Sequence, residues 1–150
     1  MLAFRERSVV LPRITSAGAV LLVMAVPIYT GSFAAGLTCN SRASYGRMVV
    51  VEEGVVAWRD RDHRYMGVPS CLLGGLLFQG PYKDVPEGTV LSVRPNSRAK
   101  VFVVLERATN GGLGESLPAS GWMREAGAPR WHEMPTMLTY SHDCAAGVSL

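Results

Sequence analysis

The chain has 150 residues, 48% of them hydrophobic and 18% charged, with 15 Lys and Arg against 12 Asp and Glu. Residues 1–34 hold three of those cations and one of the anions, which leaves 12 basic and 11 acidic side chains on residues 35–150. A formal charge of +1 on that portion gives no electrostatic footprint for nucleic acid or an anionic membrane, and the pI near 9.0 owes much to the N-terminus.

Arg5, Arg7 and Arg13 precede an uncharged stretch from Ile14 to Asn40, and within it Ala17–Ile28 is apolar except for Gly18 and Pro27. A basic flank, an apolar run of about a dozen residues and a small-residue exit at Ser32-Phe33-Ala34 predict an apolar helix used as a signal peptide, cut after Ala34. Ile14–Leu37 is also long enough to remain as a membrane anchor, which needs about 20 mostly apolar residues. The basic flank keeps the N-terminus cytoplasmic, so the rest of the chain is expected to be secreted or outward-facing and membrane-anchored. Contact with the membrane is expected only through residues 14–37. Residues 35–150 are long enough for a single domain with a modest core.

After residue 40 no long helical period appears, and apolar residues come in short runs between turn signals. Arg47–Val51 is β-branched, and Glu53-Gly54 predicts a hairpin into Val55–Trp58. Cys71–Phe78 is apolar with two central glycines, too short and Gly-rich for a helix, and Pro81, Pro86 and Gly88 punctuate a loop. Thr89–Val93 and Lys100–Glu106 are the clearest strands; the second is apolar on both faces, which predicts a central position. Thr109–Gly121 is rich in Gly, Ser and Pro and is expected to be a long exposed loop. A strand or short turn follows in Gly121–Trp131, and Thr136–Ser141 and Gly147–Leu150 close the chain as strands. The fold expected is all-β, an antiparallel β-sandwich or jelly roll preceded by the N-terminal apolar helix. Leu150 arrives in mid-strand, which reads as a fragment or an abbreviated product.

The chemistry-bearing residues are sparse. His63, His132 and His142 lie far apart, and no Cys-x-x-Cys or His-Glu-x-x-His occurs, so neither a metal nor a cofactor is expected. Asp60 and Asp62 could offer oxygens to Ca²⁺, but Arg61 and Arg64 between and beside them favour a structural ion-pair cluster. Cys71 and Ser116 have no adjacent base to activate them, and Ser116 lacks the second glycine of a nucleophile elbow. Glu52, Glu53, Glu106, Glu115, Glu125 and Glu133 suit glycosidase work by type alone and read as surface charge. Asn110-Gly111-Gly112 lacks the Lys-Ser/Thr of a phosphate loop. No catalytic role is expected. Trp122, Trp131 and Tyr82 fall in or beside loops with Arg124 close by, an arrangement that either stacks on a sugar ring or plugs the end of the core. Cys39 and Cys144 would join the domain's ends as a disulfide, while the apolar surroundings of Cys71 and Cys144 suit buried thiols instead.

Several segments together resemble a family of secreted β-sandwich modules that accompany extracellular carbohydrate-active enzymes and surface proteins. They are Asp60–Tyr65, Gly67-Val68-Pro69, Gly74-Gly75, Ala99–Leu105, Leu117-Pro118, Gly121-Trp122 and the closing Tyr140–Leu150, so the likeness spans roughly Val55–Leu150. The chain departs from the pattern at Cys144, where a bulky apolar residue is usual, and at Leu150, beyond which the family continues into a Gly-rich turn. The resemblance implies a jelly-roll or galactose-binding-like fold with an auxiliary role, its partner an extracellular glycan or a cell-surface protein. The function expected is an exported, non-catalytic binding or adhesive module. The alternatives are a membrane-anchored structural protein with no small ligand and a fragment of a secreted hydrolase.

Overall fold

A computed structural model of the chain describes residues 22–27, 35–39, 46–82, 91–106, 113–131 and 137–146. The basic flank, His132, the Asn110 turn and the closing strand expected at Gly147–Leu150 lie outside these described residues. The fold is mostly β, as expected. Six antiparallel strands form the main sheet in the order β3 (Arg47–Val50), β6 (Leu76–Gln79), β1 (Leu22–Pro27), β8 (Ala99–Leu105), β10 (Leu138–Cys144) and β9 (Met123–Arg124). Two two-stranded sheets accompany it, β2 (Ala35–Cys39) with β7 (Leu91–Pro95) and β4 (Val56–Trp58) with β5 (Arg61–Arg64).

β8 anchors the sheet because its sequence is apolar on both sides of the pleat. Phe102 and Val104 point one way, Val101, Val103 and Leu105 the other, and all five are buried. On the first face Phe102 and Val104 join a core with Ala57 and Trp58 of β4, Tyr65, Leu72, Leu77 and Trp131. On the second face Tyr140, paired with Val103, reaches the one described helix, α1 (Leu113–Ala119). Pro118 inside α1 has no N–H to give the carbonyl of Gly114, one helical turn earlier, and the Tyr140 hydroxyl donates to that carbonyl at 3.3 Å.

Three expectations are corrected. Leu22–Pro27, expected within an apolar helix, is a strand between β6 and β8, with a six-residue register against β8 from Leu22↔Val104 to Pro27↔Ala99. An apolar run of this length suits a strand covered on both faces as well as it suits a leader, and its period cannot tell the two apart. Among the described residues no helix is long and apolar enough to cross a membrane.

The Glu53-Gly54 turn forms, with Gly54 at φ 79°, but it does not fold β4 back on β3. β3 pairs with β6, while Gly54 N–H donates to the Tyr65 carbonyl and Tyr65 N–H to Val55, which steers the chain into the β4–β5 sheet. The loop expected at Thr109–Gly121 contains α1, whose Leu117 is fully buried and fixes the turn against the core. The helix stops at Gly121, φ 84°, where Trp122 N–H donates to the Leu117 carbonyl.

Candidate functional site

Trp122 and Trp131, which could stack on a sugar or plug the end of the core, are both inside the protein. Trp122 and Trp131 are each 3% exposed, so neither ring offers a face to a sugar. Trp131 sits at the centre of an aromatic cluster, stacked on Tyr65 at 6.1 Å and packed against His63 at 4.8 Å, Trp58 at 6.1 Å and Tyr82 at 6.2 Å. The structure thus brings Trp131 and Tyr82 together. Trp122 instead packs against the His142 ring at 5.3 Å, and Arg124 is exposed on β9 opposite Tyr140. Tyr82 is half-buried, with the Arg61 guanidinium 5.6 Å above its ring and its N–H held by the Asp60 carboxylate at 2.8 Å.

Among the described residues, Trp58 Nε1, His63 Nδ1, the Tyr65 hydroxyl and Trp131 Nε1 are buried without hydrogen-bond partners. At these four groups the cluster is held by ring packing and not by polar contact. Burial pushes the Tyr65 hydroxyl pKa well up, and the Glu106 charge adds to the shift.

The cysteines divide differently from the expectation. Cys71, read as a core residue, is exposed; partial desolvation followed by the Glu125 charge still raises its thiol pKa. Cys144 is buried opposite Ala99, and Cys39 pairs with Leu91 in the small sheet. The Cys39 side chain, and with it the Cys39–Cys144 disulfide, lies outside the described residues. Asp62 and Arg64 form the expected ion pair at 3.2 Å.

A concave site emerges elsewhere. An open cleft of about 340 Å³ is lined by Arg47, Val49 and Val50 of β3, Glu52, Gly54 and Val55 of the turn, Val56, Arg64 and Gln79. Its polar framework starts from Gln79, only 2% exposed at the end of an apolar strand. The Gln79 amide donates to the Val56 carbonyl and accepts a 2.8 Å hydrogen bond from Arg47 Nε. One buried side chain thus ties β6 to β4 and fixes the Arg47 guanidinium on β3. With Nε occupied, the two Nη groups of Arg47 have no partner among the described residues.

Arg64 is committed more fully. It donates to the Gly54 carbonyl at 3.1 Å and pairs with Asp62. Glu52 is exposed and also lines the cleft. The turn itself is clamped by Glu53, whose carboxylate accepts from Gly67 N–H at 2.6 Å and Val68 N–H at 2.9 Å. Those two backbone donors, Val68 first, lower the Glu53 pKa from its ordinary value. The cleft therefore offers one oriented cation, the Arg47 guanidinium, beside the turn that Glu53 clamps.

Sequence reading passed over Arg47 and Gln79. The available signal was a lone amide closing the apolar run Leu76-Leu77-Phe78, since a buried polar side chain must find partners. Among the described residues no group of three His, Cys, Asp or Glu is placed to hold a metal ion. Comparison with protein-family models, curated proteins and solved structures finds no match to this chain.

Proposed function

We propose that the chain is a non-catalytic binding module whose ligand surface is the Arg47–Gln79 cleft. The observation that carries this reading is the buried Gln79 amide, which holds the Arg47 guanidinium in one orientation at the cleft wall. A cation oriented before the ligand arrives lowers the ordering cost of recognition. Glycan is the ligand class to begin from, given the likeness of Asp60–Tyr65, Ala99–Leu105 and Tyr140–Leu150 to accessory modules. The packing of Ala57, Trp58 and Tyr65 onto Phe102 and Val104 supports a partial sandwich, with the β4–β5 sheet as its second layer.

Export through the basic flank and the uncharged stretch behind it is proposed only for a form in which Leu22–Pro27 leaves the sheet, since a strand between β6 and β8 serves neither as leader nor as anchor. A cut after Ala34 would take β1 out of the sheet, so a domain that keeps this sheet keeps residues 22–34. Mass spectrometry of the mature N-terminus tests that point, and a start at Ala35 would rule out β1 in the mature protein. A glycan array with wild type and Arg47→Ala tests the function. Signals that disappear with Arg47→Ala support the reading; signals unchanged by it place the ligand surface elsewhere.

A further inference from the structure

The main sheet has two edges, and they are built differently. One is β9, only two residues long with Arg124 exposed on it, the short and charged form that discourages strand addition. The other is β3, which among the described residues pairs on one side alone, with β6. From Met48 to Val51 this edge carries neither a charge nor a proline, and its register against β6 runs without a bulge. Val50 on it is 57% exposed.

Hydrogen bonding at the end of β3 fixes which groups the edge offers. Val51 N–H donates to the Gly75 carbonyl and the Val51 carbonyl accepts from Gly74 N–H, so both groups face the β6 side. Alternation along an antiparallel strand then turns the groups of Arg47 and Val49 the same way, and those of Met48 and Val50 outward. Two copies of such an edge match each other. Paired antiparallel about a twofold axis at Val49, each Met48 lies opposite Val50 of the second copy, and their outward N–H and C=O groups exchange hydrogen bonds. The same register makes Met48 and Val50 an apolar cross-strand pair and sets Val49 against Val49 on the other face. Exposed Arg47 opens the strand and exposed Glu52 lies just past its end. Antiparallel copies therefore bring opposite charges together at each end, where parallel copies would bring like charges together.

We propose that β3 is a self-pairing edge, through which two copies of the chain join their main sheets across Met48–Val50. The inference goes beyond the ligand reading, since it uses the edge backbone with Met48 and Val50, on the strand face opposite Arg47. One strand pair makes a small interface, so the dimer is weak and forms at high concentration.

Sedimentation velocity of the full chain, over a concentration series up to about 1 mM, tests it. Wild type is expected to pass from monomer to dimer. Val50→Lys puts a charge in the seam and should leave a monomer, while Met123→Lys, at the equally exposed position on β9, should still dimerise. Both positions are exposed, so both variants should fold, which circular dichroism checks. Val49→Cys in a Cys71→Ser background reads the register. The closer pairs of an antiparallel ladder hold their Cα atoms about 4.5 Å apart, within disulfide range, so mild oxidation should link two copies. The Cys71→Ser chain alone should not link to the same extent.

A wild type that stays monomeric up to about 1 mM would overturn the inference. So would a dimer that survives Val50→Lys, or one lost in Met123→Lys instead, which would place the seam at β9. A dimer whose Val49→Cys copies do not link would overturn the pairing about Val49. The ligand reading stands or falls separately, on Arg47→Ala in the glycan array.

Discussion

Gln79→Met separates the structural work of the amide from its work on Arg47. Methionine is unbranched and close in volume, so it fills the site with little cavity or strain. It cannot donate to the Val56 carbonyl, nor accept well from Arg47 Nε. The exposed Arg47 regains water for its lost bond, whereas the Val56 carbonyl loses a buried donor, at a cost of about 1–3 kcal/mol. Trading a buried amide for an apolar chain offsets part of that, so a net loss of about 1–2 kcal/mol is expected. At about 2–4 °C per kcal/mol the thermal midpoint should fall by roughly 2–8 °C, and the protein should still fold. Urea unfolding followed by circular dichroism gives the stability, and titration with the strongest ligand from the glycan array gives the affinity. The account expects both to drop. An unchanged midpoint would mean the Val56 bond is not formed, and full affinity despite lower stability would mean Gln79 does not orient Arg47.

Ala25→Pro, in the middle of β1, removes a ladder donor from a central strand and should cost about 1–3 kcal/mol from the orphaned partner alone; a denaturation midpoint equal to wild type would take β1 out of the sheet. Gly46→Ala places a Cβ against the Phe78 ring and the Gln79 carbonyl, and overpacking of this kind should cost about 1–3 kcal/mol in urea unfolding. An unchanged midpoint for Gly46→Ala would contradict the close approach of Gly46 to Phe78 and Gln79. Glu53 has a depressed folded pKa, so its contribution to stability is present above the ordinary value of 4.5 and disappears as pH falls through the lower folded value. Glu53→Gln should therefore destabilise the protein at pH 7 and much less near pH 3; a deficit that is the same at both would show that the charge of Glu53 does not matter.

Periodicity carried a good deal of the fold. Lys100–Glu106, apolar on both faces, is indeed the central β8, and the β-branched runs at Arg47 and Val55 are strands. It failed where partner choice depends on distant residues. The Glu53-Gly54 turn reads locally as a hairpin, but the Glu53 carboxylate engages Gly67 and Val68, 14 and 15 residues away, and the chain turns toward β5. It failed again at Leu22–Pro27, where an apolar run fits a leader and a buried strand equally well and only the gap between β6 and β8 decides.

The site was less legible than the fold. Tryptophans flanking loops suit a ligand face and a core plug alike, and only the packing separates the two: Trp131 lies against Trp58, Tyr65 and His63, and Trp122 against His142. Arg47 and Gln79 are 32 residues apart, and nothing local in either segment announces their hydrogen bond. What joins them is the β3–β6 register, which sets Arg47 directly opposite Gln79. A cleft built across strands in this way is written in the pairing and not in any motif.

The central claim is that this cleft, and not the aromatic loops, is the surface that meets a ligand. A nitrogen-15 chemical-shift map of the chain titrated with the strongest ligand from the glycan array tests it most directly. The account predicts that the largest shifts fall on Arg47, Val49, Glu52, Val55 and Gln79. Shifts gathered on Trp122, Arg124 and Tyr82, with the cleft signals unmoved, would contradict it.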